Sequence, residues 1–494
     1  MTTGAASLDS RDHHENARNA DMPSAGTSRA DGSAHPWLRL DLIDVLADLR
    51  IGVGRSSRHF ALAQRVLGGA GGASTARAWF RRFWWRAVRR ERGRGGAAVA
   101  LCVGPWVVLR EARRAVAVHG GAVRAAYGVS TRTQLAQLCW LGLRYGLRPR
   151  NYYLYALFRR DRRRRARDFV QGHEAVLLYR LLAAREALDD FRVTEDKQRF
   201  ARWCARHALP TVPILATFQE GRLVGTSDAQ ELPALPACDL FSKPTRECGG
   251  VGTVRWSYVA PDRWRRETTA ADGTTAMTGT YERHALFAAL AAQSRACDVI
   301  LQRRLVNDPA LTPLSGGGLC TLRLMTMRAP RGRPELVTAT YRMSVGGSHT
   351  DNFTGGGIAA DVDVATGRIG AGVRPDPRLV ARPLTHHPDT GAEFVSRTLP
   401  YWADARALCL RAHACLPSIA CVGWDVVLTP DGPILLECNF APGVELSQAP
   451  TGRPLADTPF VRYFDAHLRR SFAHARDAAR AEPHSPTASG TWGA

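Results

Sequence analysis

A strand pair near the carboxyl end of the chain carries polar side chains where apolar ones are expected. The stretch from Gly423 to Gly443 reads GWDVVLTPDGPILLECNFAPG. Two apolar runs, WDVVL and PILLECNF, flank the turn-forming residues TPDGP, which predicts a β-hairpin with strands buried on both faces. Asp425, Glu437 and Asn439 lie within these strands. Because a buried unpaired carboxylate is costly, the hairpin needs either a partner arginine or a metal ion.

The length of the turn decides whether these side chains converge. Glu437 and Asn439 share a face of their strand because they are two residues apart. A three-residue loop, Pro430–Gly432, places Asp425 opposite Glu437, whereas a loop of two or four residues places them on opposite faces. If the three side chains are to converge on one spot, the turn must therefore have an odd number of residues. Oxygen donors with two negative charges suit Mg²⁺, which also binds substrate phosphates.

Two lysines and a glycine-rich loop precede the hairpin in the chain. Lys197 and Lys243 are the only lysines, since arginine supplies nearly all of the positive charge. Lysine is a compact point charge suited to a phosphate. Gly249, Gly250 and Gly252 follow Lys243, and glycines let backbone amides approach an anion closely. No P-loop or GxGxxG sequence is present, so an ordinary hairpin loop is the alternative interpretation.

Arginines inside apolar strands also need anionic partners. Arg323 is predicted to pair with Asp425 or Glu437, or to contact a phosphate. Arg342 and Asn352 follow on the next strand and on the glycine-rich loop after it. Together with the lysines, these residues favour the metal interpretation of the hairpin over a simple salt bridge.

The order of these motifs resembles the ATP-grasp superfamily. DKQRF…HALPTVP, ILQRRLVNDPALTPLSGGGLCTLRLMT and the hairpin are similar in particular to the sugar-transfer-associated ATP-grasp family, over roughly residues 191–476. The resemblance implies an α+β fold in which two α+β subdomains grip ATP between them. A basic helical region stands where many ATP-grasp ligases have an N-terminal α/β domain, which leaves the acceptor site unassigned.

The resemblance also implies a role for each motif residue. The residues expected to contact ATP are Lys197, Lys243, Gly249, Gly250, Gly252, Gln302 and Leu305, the last two through an inter-subdomain hinge. The residues expected to hold one or two Mg²⁺ ions are Asp425, Glu437 and Asn439. The catalytic residues expected to face the γ-phosphate and the acceptor are Arg323, Arg342 and Asn352.

Changes in composition divide the chain into five segments. Polar tails at residues 1–35 and 479–494 are expected to be disordered, and the first lacks the apolar core of a signal peptide. Residues 36–190 are predicted to form a mostly helical, basic region. Residues 191–300 and 301–478 are predicted to be the two ATP-grasp subdomains, the second containing the hairpin.

The charge of the chain favours anionic partners. The net charge is +22 and the isoelectric point is near 10.4. Residues 77–94, RAWFRRFWWRAVRRERGR, predict a helix that lies on an anionic membrane surface or packs on the protein's own core. Nucleic acid is not expected, since no recognisable motif supports it. The 11 cysteines, without a CxxC pair, predict free thiols in a cytoplasmic protein, peripheral to the membrane if residues 77–94 bind it.

The resemblance implies an ATP- and Mg²⁺-dependent ligase that joins a small-molecule carboxylate to an amine or a thiol through an acyl phosphate. The family's name associates it with cell-surface polysaccharide or sugar pathways. Two alternatives remain: an ATP-grasp kinase that phosphorylates a hydroxyl, and a basic membrane- or polyanion-binding protein with an inactive ATP site. His386 and His387 are expected in a surface loop rather than at the acceptor.

Overall fold

The fold is given by a computed structural model. The described residues are 104–172, 175, 179, 188–224, 233–246, 252–269, 275–330, 332–348, 351–375, 383–467 and 469–470. The predictions for both polar tails, for residues 77–94 and for Gly249 and Gly250 fall outside these residues.

The first sheet has seven antiparallel strands, in the spatial order β2-β1-β7-β3-β4-β5-β6. The strands are β1 (Ile214–Gln219), β2 (Arg222–Leu223), β3 (Leu240–Pro244), β4 (Val254–Ala260), β5 (Arg263–Thr269), β6 (Thr275–Glu282) and β7 (Val299–Arg303). One face is covered by helix α7 (Arg283–Ser294), which buries Leu286, Phe287 and Leu290 against the sheet. This sheet carries Lys243 at the end of β3 and Gln302 in β7.

The second sheet has six antiparallel strands, in the order β11-β10-β9-β8-β12-β13. The strands are β8 (Thr321–Arg328), β9 (Pro334–Met343), β10 (Ile358–Val362), β11 (Ile369–Val373), β12 (Cys421–Thr429) and β13 (Gly432–Asn439). Every residue of β12 is buried, as the sequence predicts for a strand covered on both faces. The main core lies on the face away from the hairpin's polar side chains and includes Trp203 and Trp424.

The remaining helices surround the two sheets. They are α1 (104–127), α2 (Thr131–Tyr145), α3 (Pro149–Leu154), α4 (Arg160–Arg164), α5 (Leu188–Glu195), α6 (Lys197–Arg206), α8 (Trp402–Ala414), α9 (Glu445–Gln448) and α10 (460–467). Local sequence explains several of the ends. Asp196 caps α6 by accepting from the amides of Gln198 and Arg199, and Gly146 ends α2 in the left-handed conformation with φ of 61°.

The helices before residue 170 pack directly on the second sheet. Their aromatic residues, among them Tyr152 and Tyr155, share a core with Phe353, Ala359 and Val373. The described part of the basic N-terminal region is helical as expected, and it is joined to the sheet through this core. Among the described residues, no helix combines the length and the apolarity needed to cross a bilayer. The nine described cysteines are free thiols, as predicted.

Candidate active site

The β12–β13 hairpin sets Asp425 directly opposite Glu437, but not by the predicted turn. Thr429 pairs with Gly432, so the loop has two residues, Pro430 and Asp431. The expectation of an odd-membered turn is therefore wrong. A β-bulge lies between the Val426–Leu435 pair and the Asp425–Glu437 pair, and it inserts one extra residue into β13. The bulge corrects the register that the two-residue turn alone would give.

The bulge also separates the polar and apolar faces of the hairpin. Leu435 and Cys438 belong to the main core. Glu437 and Asn439 face a cavity on the other side of the sheet, as Asp425 does. The three side chains therefore lie on one face, as the sequence predicted.

Two arginines hold the Asp425 carboxylate. Arg323, directly opposite on β8, donates to Asp425 through Nε and, at 3.0 Å, through Nη2. Arg342 donates to the same carboxylate from β9, with Nη2 3.2 Å from Oδ2. Asp425 is only 2% exposed. Burial opposes ionisation of the carboxyl, but the two guanidiniums outweigh it and hold the pKa of Asp425 well below its usual range.

A second buried carboxylate, Asp351, shares Arg342 with Asp425. Its Oδ1 lies 3.2 Å from Nη2 of Arg342, and its Oδ2 accepts from the amide and the hydroxyl of Thr321. Burial raises the pKa of Asp351 even though Arg342 acts in the opposite direction. Sequence reasoning missed this residue. The available signal was its position next to Asn352, in a loop that follows a strand with a buried arginine.

Glu437 has weaker protein partners than Asp425. Its nearest ion-pair contact is Nζ of Lys197 at 3.9 Å, and Nδ2 of Asn439 lies 3.4 Å from its Oε1. Its side chain is 31% exposed, towards the cavity. Glu437 is therefore a carboxylate that retains acceptor capacity for a ligand.

The hairpin can provide oxygen donors for Mg²⁺. Glu437 and the amide oxygen of Asn439 lie on the face of β13 that borders the cavity. Asp425 contributes less, because its Oδ2 accepts from both arginines, whereas its Oδ1 accepts only from Arg323 and keeps one lone pair. The donor set fits a hard cation that completes its coordination with water and phosphate oxygens.

The two lysines approach this face from the start of α6 and from the end of β3. The amide of Lys197, at the start of α6, donates to the carbonyl of Thr245 just after β3, which brings both lysines to the same edge. Lys243 is 8% exposed, and burial lowers its pKa to about 8, with Glu437 opposing and Lys197 adding to that shift. A buried ammonium among few anions gains from a bound phosphate.

One cavity of about 480 Å³ collects most of the predicted site residues. Those that line it are Lys197, Lys243, Gln302, Leu305, Arg323, Arg342, Asn352, Asp425, Glu437 and Asn439. Gly252 is not part of the lining, although the adjacent Thr253 is. The cavity is rich in positive charge, with eight lysine or arginine side chains and four carboxylates.

The family model for sugar-transfer associated ATP-grasp proteins matches residues 180–459, more than half of the chain. The chain belongs to this family. Its two antiparallel sheets with their helices form the α+β ATP-grasp fold, and both sheets line the cavity, the first with Lys243 and the second with the hairpin.

Several solved structures of ATP-grasp enzymes resemble the chain. D-cycloserine synthetase is 17% identical, with 60% of this chain and 80% of that chain covered and a TM-score of 0.29. D-alanine–D-alanine ligase from Bacillus anthracis, complexed with ATP, is 9% identical over 59% and 71%, with a TM-score of 0.33. An ADP complex of N5-carboxyaminoimidazole ribonucleotide synthetase is 12% identical over 54% and 51%, with a TM-score of 0.30. No curated protein matches the sequence.

The segment that joins the two ATP-grasp sheets begins in β7. The side chain of Gln302 is engaged away from the cavity centre, since its Nε2 donates to the carbonyl of Val212 at 3.0 Å. Arg304 is held by Asp239 through backbone and side chain. Leu305 then lines the cavity as the chain leaves the sheet. The side chains along this segment thus fix its backbone, which leaves backbone groups as the means of contacting a ligand.

The two histidines of the THHPDTGAE segment differ in environment. His386 is exposed, as predicted for a surface loop. His387 is fully buried, so the surface prediction is wrong for it. Its Nε2 contacts the carbonyl of Ser344 and its Nδ1 accepts from the amide of Asp389. It cross-links two loops and does not line the cavity.

Proposed function

We propose that this protein is an ADP-forming ligase that uses Mg²⁺ and ATP to join a carboxylate to an amine or a thiol. Membership of the ATP-grasp family supports the use of ATP. The ligase outcome and the kind of substrate go beyond that membership, and they rest on the chemistry of the cavity.

One observation carries the proposal: two lysines and an incompletely engaged Glu437–Asn439 pair face the same cavity. Lys197 and Lys243 supply compact positive charges for phosphate oxygens. Glu437 and Asn439, with Asp425 behind them, would hold the Mg²⁺ ion. When bound, this ion neutralises charge on the phosphates and orients them.

The chain's own residues would stabilise the transferred phosphoryl group. Arg323 and Arg342 are fixed by Asp425 and Asp351, so their guanidiniums need little reorganisation to face an anion. Lys243 would carry its proton when a phosphate lies beside it, since an anion favours the charged form. Positioning and charge neutralisation supply most of the catalysis in such a transfer.

The reaction has two balanced steps. A carboxylate oxygen of the substrate attacks the γ-phosphorus of ATP, and the bond to the β–γ bridging oxygen breaks, which gives an acyl phosphate and ADP. The nitrogen of the amine, or the sulfur of the thiol, then attacks the acyl carbon, inorganic phosphate leaves, and the attacking group loses its proton. Arg323, Arg342 and Asn352 are the proposed catalytic residues, since all three line the cavity.

The setting of the reaction is proposed from the family alone. The family's description associates it with sugar transfer, and we propose a role in a sugar-related or cell-surface polysaccharide pathway. A cytoplasmic location, with peripheral contact of residues 77–94 with an anionic membrane, stays a prediction. The segment boundaries at residues 35, 190, 300 and 478 also stay predictions.

The proposal predicts that Glu437→Gln abolishes ATP turnover and leaves the fold intact. The amide removes the charge that faces the cavity, whereas the side chain is 31% exposed and breaks only a 3.9 Å contact with Lys197. The measurement is ADP release over a panel of carboxylic acids with amines, with hydroxylamine present to trap an acyl phosphate as a hydroxamate. Glu393→Gln, an exposed glutamate that does not line the cavity, is the matched control.

Three outcomes are distinguishable. Hydroxamate formation that depends on ATP and Glu437 supports the ligase. A stable phosphorylated product without hydroxamate indicates a kinase. Full turnover in Glu437→Gln would overturn the assignment of the metal site, and absence of nucleotide binding in the unmodified protein would overturn the proposal as a whole.

A further inference from the structure

An arginine from the N-terminal helices reaches the ATP-grasp cavity. Arg150, on α3, lines the same cavity as Lys243 and Glu437. It lies outside the family match, which begins at residue 180. This side chain is therefore a feature of this chain's N-terminal region, where the sequence left the acceptor site unassigned.

Buried glutamines fix the segment that carries Arg150. Gln171 is fully buried, and its Oε1 accepts from the amide of Arg148 at 2.9 Å and from Nδ2 of Asn151 at 3.5 Å. Its Nε2 donates to the carbonyl of Gly146. The backbone at Arg150 is thus fixed, because Arg148 and Asn151 on either side of it are both hydrogen-bonded to the side chain of Gln171.

A second glutamine links this segment to the hairpin. Gln448, also fully buried, accepts from the amide of Val170 at 3.0 Å and donates to its carbonyl at 2.7 Å. Gln448 belongs to α9, which begins six residues after Asn439. Buried hydrogen bonds therefore tie the segment that carries Arg150 to α9, the helix that follows the hairpin in the chain.

The wall next to Arg150 is also closely packed. Oε1 of Glu445, which lines the cavity, accepts from the amide of Gly172 at 3.1 Å. A Cβ at Gly172 would lie 2.4 Å from that oxygen, so a larger residue at this position would displace the Glu445 carboxylate. Phe353 contributes an apolar surface to the cavity and packs with Tyr152 and Tyr153 of α3.

Arg150 differs from most other arginines of the cavity in having no anionic partner among the residues that the structure describes. Arg323 and Arg342 are paired with Asp425, and Arg304 with Asp239. Arg150 makes no ion pair or hydrogen bond with any residue that the structure describes, although it lies at the cavity surface. Burial lowers the pKa of Arg148 and of His119, and the charge of Arg150 adds to both effects, so two basic groups lie near Arg150.

We infer that Arg150 binds an anionic group, a carboxylate or a phosphate, on the non-nucleotide substrate. The inference rests on the proposed function, because it presumes that Lys197, Lys243 and the hairpin bind the nucleotide. The Arg150 guanidinium, exposed at the cavity surface, offers bidentate donors to either anion. The substrate class is then a compound that carries a negative group in addition to its reacting group, such as an amino acid or a phosphorylated sugar acid.

The test uses the full chain saturated with Mg²⁺ and AMP-PNP, so that the nucleotide position is filled. Acetate and inorganic phosphate are titrated separately by calorimetry as probes of the two anion types. Arg150→Ala should weaken binding of at least one probe roughly tenfold, as expected for loss of a charged hydrogen-bonding group. Arg150→Lys should recover part of the affinity. Arg160→Ala, an exposed arginine of the same region that does not line the cavity, should bind as the unmodified protein does.

The outcomes separate this inference from the proposed function. A selective loss for acetate identifies a carboxylate, and a selective loss for phosphate identifies a phosphate. Equal affinity of Arg150→Ala and the unmodified protein, or no binding of either probe, overturns the inference. Weaker AMP-PNP binding in Arg150→Ala also overturns it, by placing Arg150 on the nucleotide. Failure of the unmodified protein to bind AMP-PNP overturns the proposed function.

Discussion

Asp425 and Glu437 face each other across the hairpin, but their different environments suit them to different roles. Asp425 is enclosed by Arg323 and Arg342, and its charge is needed to balance theirs. Glu437 faces the cavity with one distant lysine beside it. The first carboxylate is part of the structure that holds the arginines, and the second is available for a cation.

This difference predicts losses of stability of different size for substitutions at the two acids. Asp425→Asn removes the carboxylate that Arg323 and Arg342 share and leaves Arg342 with Asp351 alone, so it should lower the free energy of unfolding by about 3 kcal/mol. Glu437→Gln loses only a long, partly exposed contact and should cost less than about 1 kcal/mol. Both variants should lose ATP turnover. Chemical denaturation of the two variants beside the unmodified protein measures the difference, and equal losses of stability would contradict the separate roles.

For individual residues, the sequence predicted that Arg323 pairs with a carboxylate of the hairpin, but not how many partners each charged group has. An arginine in an apolar strand required an anion, and Asp425 was one of the two carboxylates named for Arg323. The second arginine on Asp425 and the role of Asp351 depend on which strands lie side by side. Arg342 reaches Asp425 only because β8 separates β9 from β12 by one strand, and a single sequence does not contain that order.

Helix α8 is tied to the second sheet by a buried polar chain. The indole N–H of Trp424 donates to the hydroxyl of Thr326 at 2.8 Å, and that hydroxyl lies 2.7 Å from Nδ1 of His413. Nε2 of His413 lies 2.9 Å from the carbonyl of Ile419. Each donor meets one acceptor only if His413 is neutral with its proton on Nε2. Burial accordingly lowers the pKa of His413 to about 4.

This histidine predicts a loss of stability in mild acid. The unfolded chain takes up a proton on His413 near pH 6.5, whereas the folded chain resists it until about pH 4, so unfolding is favoured as the pH falls through this window. The full effect is roughly 3 kcal/mol. His413→Gln should flatten the pH dependence of the free energy of unfolding between pH 6.5 and 4. His386→Gln is the exposed control, and an unchanged slope in His413→Gln would refute the argument.

The elements themselves were largely predictable from pattern, and their register was not. Alternating and continuous apolar runs located β8, β12 and β13, because burial on one or both faces leaves a direct trace in sequence. The two-residue loop and the bulge leave almost no trace in the sequence. The bulge places Leu435 in the core, and a three-residue turn without a bulge would place Leu436 there. Because both residues are leucine, the apolar pattern of the sequence does not distinguish the two arrangements.

For the molecule as a whole, the N-terminal helices and the ATP-grasp sheets share one packed interior. Gln448 joins Val170, Tyr155 and Leu455 through hydrogen bonds made by a single buried amide. The aromatic residues of α3 pack on β10 and β11. Composition alone separated a basic helical region from an α+β region, since it records local preference and carries no information about contacts between segments.

Because the interior is shared, a substitution in the ATP-grasp domain should also destabilise the N-terminal helices. Gln448→Leu leaves the amide of Val170 and the amide of Leu455 unsatisfied, and it should lower the free energy of unfolding by roughly 2–4 kcal/mol. Hydrogen exchange should rise in residues 146–172 and 444–457 together. Gln293→Leu, which removes a bond to Gly252 at the surface, is the control. Faster exchange confined to residues 444–457 would show that the helices are independent.

The bulge in β13 has a consequence for comparing this hairpin with others. A two-residue turn with one bulge and a three-residue turn with none place the same number of residues between Asp425 and Glu437. Both arrangements place Asp425 and Glu437 on the same face of the hairpin. A turn that is one residue shorter is therefore compensated by one bulge residue near the cavity. The number of residues between Asp425 and Glu437 is then the quantity that must stay the same, whereas the length of the turn can change.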